Sequence, residues 1–262
     1  MPTVRRMHPV QHQIIYEIPL ERDSWVERIE RAFRVFEEMF PGERLYIESR
    51  GEQPSIELSD RRACLRKKLR TKYRAFTIDN GKYLIGNGRT GFRDQGYIMV
   101  GGRVSAATEG LFRFSTIFRN EPWSVCEAIL VALGDALDAY SAPLSPPETM
   151  MGLRRVQFGH GPPREIPNID LPRLHDTWYG GLQHPAQPHI LGWLNYWSRA
   201  TCEYLGFPDP GRDEEILSRS YRTPGGAWLV KLAEDPLSLS RDDHVALLQA
   251  AYDRFDKLGV RC

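Results

Sequence analysis

At 262 residues, with 35 basic and 34 acidic side chains, the chain is long enough for one large domain or two small ones and is close to electrical neutrality. A hydrophobic fraction of 41% and a charged fraction of 26% are ordinary for a soluble globular protein. No apolar run approaches the length of a membrane span. Residues 1–19 carry early arginines, but Tyr16 and Glu17 break up Ile14, Ile15 and Ile18, so no secretory leader is expected and a cytoplasmic location is.

In chain order, 13–18 reads as a first strand. A helix follows to Phe40, capped by Asp23 or Ser24, with Trp25, Ile29, Ala32, Phe33, Phe36 and Phe40 spaced at three and four on one buried face. Pro41-Gly42 stops it, and 45–47 reads as a second strand. A basic helix is expected over 61–73. Strands follow at 74–78, 83–85, 97–100 and 111–118, with Asp79-Asn80-Gly81 as a hairpin turn between the first two. A long helix runs over 123–140, with Pro122 tolerated at its first turn.

The stretch 144–188 holds eight prolines and reads as an ordered irregular segment or an interdomain crossing. A helix over 190–205 would carry an aromatic tract, with Trp193, Tyr196 and Trp197 at helical spacing and buried in the core. A short helix at 214–220, a strand at 227–232 and a helix over 241–257, capped by Ser240, close the chain. The expected fold is α+β, a mostly antiparallel sheet packed with several helices. It is read as a single compact unit over 1–262, with 144–188 as the place where it would divide.

The four cysteines are far apart and form no CxxC. Cys64, Cys126 and Cys202 fall in expected helices as small apolar fillers, and Cys262 is terminal. Near-zero net charge hides an asymmetry. Residues 1–120 hold 22 basic and 15 acidic side chains, and residues 121–262 hold 13 and 19. Such a division bears on partners and steering rather than on fold.

Several patterns invite a chemical reading. Gly86-Asn87-Gly88-Arg89-Thr90-Gly91 matches GxGxxG, but a dinucleotide site needs a helix to open at that loop, and a strand is expected instead. The glycines there serve a tight loop. The run Arg61, Arg62, Arg66, Lys67, Lys68, Arg70, Lys72 and Arg74 is a solvated helix face or a contact for phosphates or an acidic surface. The seven histidines form neither HExxH nor a zinc spacing, and His175-Asp176 has no nucleophile in an activated context. Asp209, Asp213, Glu214, Glu215, Glu234 and Asp235 form acidic clusters. They either solvate loops and helix starts or complement the positive DNA groove of a nuclease.

The tract Gly192-Trp193-Leu194-Asn195-Tyr196-Trp197 is followed by Gly206-Phe207-Pro208-Asp209, Gly225-Gly226-Ala227-Trp228-Leu229-Val230 and Asp235-Pro236-Leu237. This series, over the last third of the chain, resembles the immunity protein 52 family. The resemblance implies a protein that binds and inhibits a cognate nuclease toxin with a restriction-endonuclease-like domain, delivered by an interbacterial system such as type VI secretion. It implies no catalytic residue, no metal and no cofactor. The partner is a protein, not a nucleic acid, a small molecule or a membrane. The six acidic residues named above are its candidate contacts. The alternatives are a small-molecule enzyme with a site around 160–189 and a nucleic-acid-binding protein using the helix at 61–74.

Overall fold

The computed structural model describes residues 11–19, 25–41, 46–47, 62–63, 66, 75–79, 83–86, 89–92, 99–104, 111–119, 122–159, 169–175 and 184–262. The fold is α+β. One antiparallel sheet takes strands from both ends of the chain, in the order β10-β11-β9-β8-β1-β7-β6-β3-β2. These strands are β1 (Gln11–Pro19), β2 (Tyr46–Ile47), β3 (Ala75–Asp79), β6 (Met99–Val104), β7 (Leu111–Arg119), β8 (Ser141–Leu144), β9 (Leu194–Trp197), β10 (Tyr221–Arg222) and β11 (Trp228–Lys231). The strands β4 (Tyr83–Gly86) and β5 (Arg89–Phe92) pair separately.

The register joins β1 to β7 along its full length, from Gln11 opposite Arg119 to Pro19 opposite Leu111. One expected pairing differs. Strand β3 pairs with β6 and β2, not with β4. The Asn80-Gly81 turn that was to join β3 to β4 lies outside the described residues. Within the GxGxxG pattern Gly86 pairs with Arg89, and Arg89–Phe92, where a dinucleotide site would open a helix, is strand β5.

Helix α1 (Trp25–Met39) buries Ile29, Ala32, Phe33 and Phe36 on the expected face. It packs against α2 (Trp123–Leu137), which lies on β1, β8 and β9. The buried Tyr16 hydroxyl of β1 donates to the Ile129 carbonyl at 3.2 Å, and burial holds its pKa well above the usual tyrosine range. Helix α2 ends at Asp138, which takes the left-handed conformation (φ 49°), so 139–140 are not helical as expected. The side-chain carboxylate of Asp138 is held by Arg31 at 2.6 Å and Arg28 at 3.4 Å.

Among its described residues, the proline-rich stretch holds regular structure at its start. It opens on β8 and then α3 (Pro147–Phe158). Pro147 occupies the first helical position, where the missing N–H costs nothing.

The aromatic tract is a strand, not a helix. Leu194–Trp197 forms β9, and helix α4 (Arg199–Leu205) begins only after Ser198, whose hydroxyl accepts from the Thr201 N–H at 3.2 Å. Both faces of β9 are covered, so the tract lacks the alternation that marks a half-exposed strand. Tyr196 reaches α2, where a Cβ on Gly134 would lie 2.6 Å from its ring. On the opposite face Trp197 meets Phe207 and Phe255 edge-on, at ring-centroid distances of 5.4 and 5.0 Å. The expectation of core placement holds: Trp193, Tyr196 and Trp197 are each at most 3% exposed.

Helices α5 (Glu214–Arg219) and α6 (Asp242–Arg254) complete the chain. Helix α6 starts after Arg241, and Ser240 is not its cap. The backbone N–H of Ser240 donates to Ser238 Oγ, and the imidazole of the buried His244 accepts from the Ser238 N–H. Cys126 and Cys202 are buried in helices as expected, and burial pushes the Cys202 thiol up to about 12. Cys64 lies outside the described residues.

Candidate functional site

The acidic residues divide into one internal pair and a set of surface carboxylates. Asp213 is 1% exposed. Its two oxygens take Arg254 Nε at 2.7 Å and Nη2 at 2.9 Å, and one also accepts the Asp209 N–H at 2.8 Å. A doubly bound guanidinium and a backbone donor satisfy a carboxylate that burial would otherwise penalise. Asp213 therefore closes the 206–213 loop onto the end of α6 and offers no surface to a partner. The carboxyl of Asp209 is held below its ordinary pKa by Arg212 and the Gly211 N–H.

The remaining acids lie on the surface. Glu215 pairs with Arg219 at 3.0 Å. The same guanidinium donates to the Lys231 carbonyl, and Lys231 pairs with Glu234 at 3.8 Å. Asp235 stands 3.9 Å from Arg241, which also holds Asp243 and draws its pKa down to about 2. Glu214 is exposed and has no ion pair among the described residues. Glu215, Glu234 and Asp235 each take part in a separate ion pair, with Arg219, Lys231 and Arg241 respectively. Each keeps at least 74% of its side chain in solvent.

A second feature was not anticipated. A groove of about 820 Å³ runs between α1, α2 and the segment around β10. Val35, Ala128, Val131, Ala132 and Ala136 supply apolar lining, and Arg31, Arg34, Asp135, Tyr221 and Pro224 supply the rest. Its wall is fixed by Asp135, whose carboxylate accepts from Tyr196 Oη at 2.9 Å, Thr223 Oγ1 at 2.8 Å and the Gly225 N–H at 2.9 Å. Burial, then the Asp135 charge, raises the Tyr196 hydroxyl well above the usual tyrosine range. Tyr221 is 43% exposed, with its hydroxyl donating to Glu127 at 2.9 Å. Sequence reasoning passed over this groove because its residues come from three separated elements. The legible signal was the run of small residues at 128, 132 and 136, spaced by four on α2.

Of the basic segment, Arg62, Ala63 and Arg66 are helical and exposed, and Arg62 is paired with Glu27 at 3.0 Å on α1. The other basic residues expected on that helix lie outside the described residues. Around the alternative enzyme site, His175 is exposed and its backbone N–H donates to the Val260 carbonyl. His184 stacks on Tyr204, and His189 lies against Phe158. Asp176 and His160 are outside the described residues. Among the described residues no three His, Cys, Asp or Glu side chains are grouped to hold a metal, and no helix is long and apolar enough to cross a membrane.

Comparison with known families matches residues 26–262 to a family described as a domain of unknown function (DUF5953). The chain belongs to this family. The match therefore covers the groove, the acidic surface and every strand of the sheet except β1. No curated protein matches the chain. Among solved structures it is similar to the Pseudomonas aeruginosa T6SS protein PA0821, with a TM-score of 0.61 at 11% identity, covering 95% of this chain and 76% of that one. At that identity the likeness establishes the shared fold.

Proposed function

We propose that this DUF5953 protein is an immunity protein that binds a cognate nuclease toxin of an interbacterial secretion system and occludes its active or DNA-binding cleft. The observation that carries the reading is the fold shared with a T6SS protein over 95% of the chain. The resemblance of the C-terminal tract to immunity protein 52 supports the inhibitory role. Inhibition of this kind is steric and electrostatic, so the protein performs no chemistry and needs no cofactor. It acts in the producing cell's cytoplasm, where an incoming toxin would meet the chromosome.

A nuclease presents positive surface to phosphates, and the exposed carboxylates Glu214, Glu215, Glu234 and Asp235 offer the opposite sign. Asp209 is partly exposed, and Asp213 is buried. Surface charges of this type mainly accelerate association and select the partner.

The test is to purify the nuclease encoded beside this gene and mix it with DNA and this protein at equal molarity. Loss of cleavage and a complex that co-elutes on gel filtration are expected. Undiminished cleavage with no complex rejects the immunity reading for that toxin.

A further inference from the structure

We propose that the groove between α1, α2 and the Tyr221–Pro224 arm is an anchoring site. It would seat a segment of a protein partner that presents an apolar side chain next to a carboxylate. This rests on the reading of the chain as a partner-binding protein, and it names the contact that would hold the partner once surface charge has brought it near.

Three observations point to that occupant. Apart from Asp135, the lining from α2 is made of alanines and Val131, which leaves room for a side chain from outside while α1 and α2 stay packed. The volume, about 820 Å³, is of the size that holds a compact ligand or several side chains.

The charge left free is positive. Asp135 is satisfied by three donors, Asp138 by Arg28 and Arg31, and Glu127 by the Tyr221 hydroxyl. Arg34 is exposed, lines the groove and has no ion pair among the described residues. A guanidinium beside apolar surface selects a carboxylate, which it can hold through two parallel hydrogen bonds. A nucleic-acid backbone is the poorer fit, because its phosphates and sugars would lie over a lining that is largely apolar.

The site is also built in advance. Tyr221 is held by Glu127, and the turn carrying Pro224 is fixed by Asp135 through Thr223 and Gly225. Little ordering remains to be done on binding. Exposed Tyr and Arg around an apolar centre are the side chains that dominate interface energies.

The probe is a random 12-residue peptide library panned against the purified full-length chain. Enriched sequences should place an apolar residue beside Asp or Glu. Arg34→Glu should weaken their binding about tenfold or more and, when panned itself, should enrich Lys or Arg in their place. Ala128→Trp, at an exposed groove position, should abolish binding while the variant melts like the wild type.

Peptides without acidic bias, or binding indifferent to both variants, would overturn the proposal. So would self-association of the chain that Arg34→Glu dissolves, since the occupant would then be a second copy. The two readings fail separately. Toxin protection that survives both variants sinks the groove and leaves immunity standing. Peptide selection as described, with undiminished DNA cleavage, does the reverse.

Discussion

The aromatic strand β9 and the acidic segment that begins 12 residues after it solve opposite problems with side chains of strong character. In β9 every side chain is covered, by α2 on one face and by Phe207 and Phe255 on the other. In the acidic segment only Asp213 is enclosed, and its neighbours Glu214 and Glu215 stand in solvent. The difference separates residues that specify the fold from those available to a partner. Residue type does not make that division, because Asp213 and Glu214 are adjacent and carry the same charge.

The sharpest test of the comparison lies in β9. Trp197→Ala removes a ring that is 1% exposed and packed edge-on against two others. A loss of about 3–5 kcal/mol is expected, a large share of a domain's stability, and is read by urea denaturation. A variant that melts like the wild type but no longer binds toxin would move Trp197 from core to interface.

Asp213→Ala comes next. It leaves Arg254, whose side chain is 13% exposed, without its carboxylate. Breaking a buried pair from one side costs about 3 kcal/mol or more. The double variant Asp213→Leu with Arg254→Met should recover most of that loss in the same denaturation series. Glu214→Ala should stay within about 0.5 kcal/mol of wild type. Equal losses at 213 and 214 would erase the distinction.

How much of this was legible can be stated residue by residue. The α+β class and the spread of sheet strands over both ends of the chain followed from element spacing, and α1 was visible because its apolar face alternates with charge. The tract at 193–197 was misread as a helix because Trp193, Tyr196 and Trp197 fall at helical spacing and only Asn195 breaks the apolar run. So short a run fits both periods, and β-pairing with Ala142 and Leu229 decides between them. Helix α3 was hidden by Pro146-Pro147, which reads as loop unless the second proline is placed at the helix start.

At the candidate site the charges were legible and their partners only in part. Glu215 and Arg219 are four apart on one helix. Asp213 and Arg254 are 41 apart, and nothing local announces their pairing. The groove needs Arg34, Ala128 and Tyr221 together, which only the tertiary packing supplies.

A smaller effect probes the scaffold behind the groove. A Cβ at Gly225 would fall 2.5 Å from the Asp135 carboxylate, which also anchors Tyr196 and Thr223. Gly225→Ala should therefore cost about 1–3 kcal/mol as an overpacked contact and should loosen the turn that carries Pro224. Hydrogen exchange at 223–227 would show the loosening. Gly211→Ala, whose Cβ would sit 3.5 Å from Asp209, is the control and should lose much less. Equal losses at both glycines would mean that the Asp135 anchor is not what holds the arm.

The smallest expected effect on stability is the one most informative about function. Glu214→Lys with Glu215→Lys should leave the melting transition within about 0.5 kcal/mol of wild type, since both side chains are exposed and only Glu215 has an ion-pair partner. Association with the nuclease should slow, because reversing surface charge acts on the encounter rather than on the packed contact. Added salt should shrink the difference, as the Debye length falls from about 30 Å at 0.01 M to about 8 Å at 0.15 M. Reversing Arg66, Lys67 and Lys68 should slow association less, because their sign matches that of a DNA-binding surface. The comparison is a stopped-flow series across ionic strengths on variants shown to be folded. A larger loss from the basic triple variant would transfer the encounter surface to the N-terminal half. Rates independent of salt for both variants would remove steering from the mechanism and leave the groove to account for recognition alone.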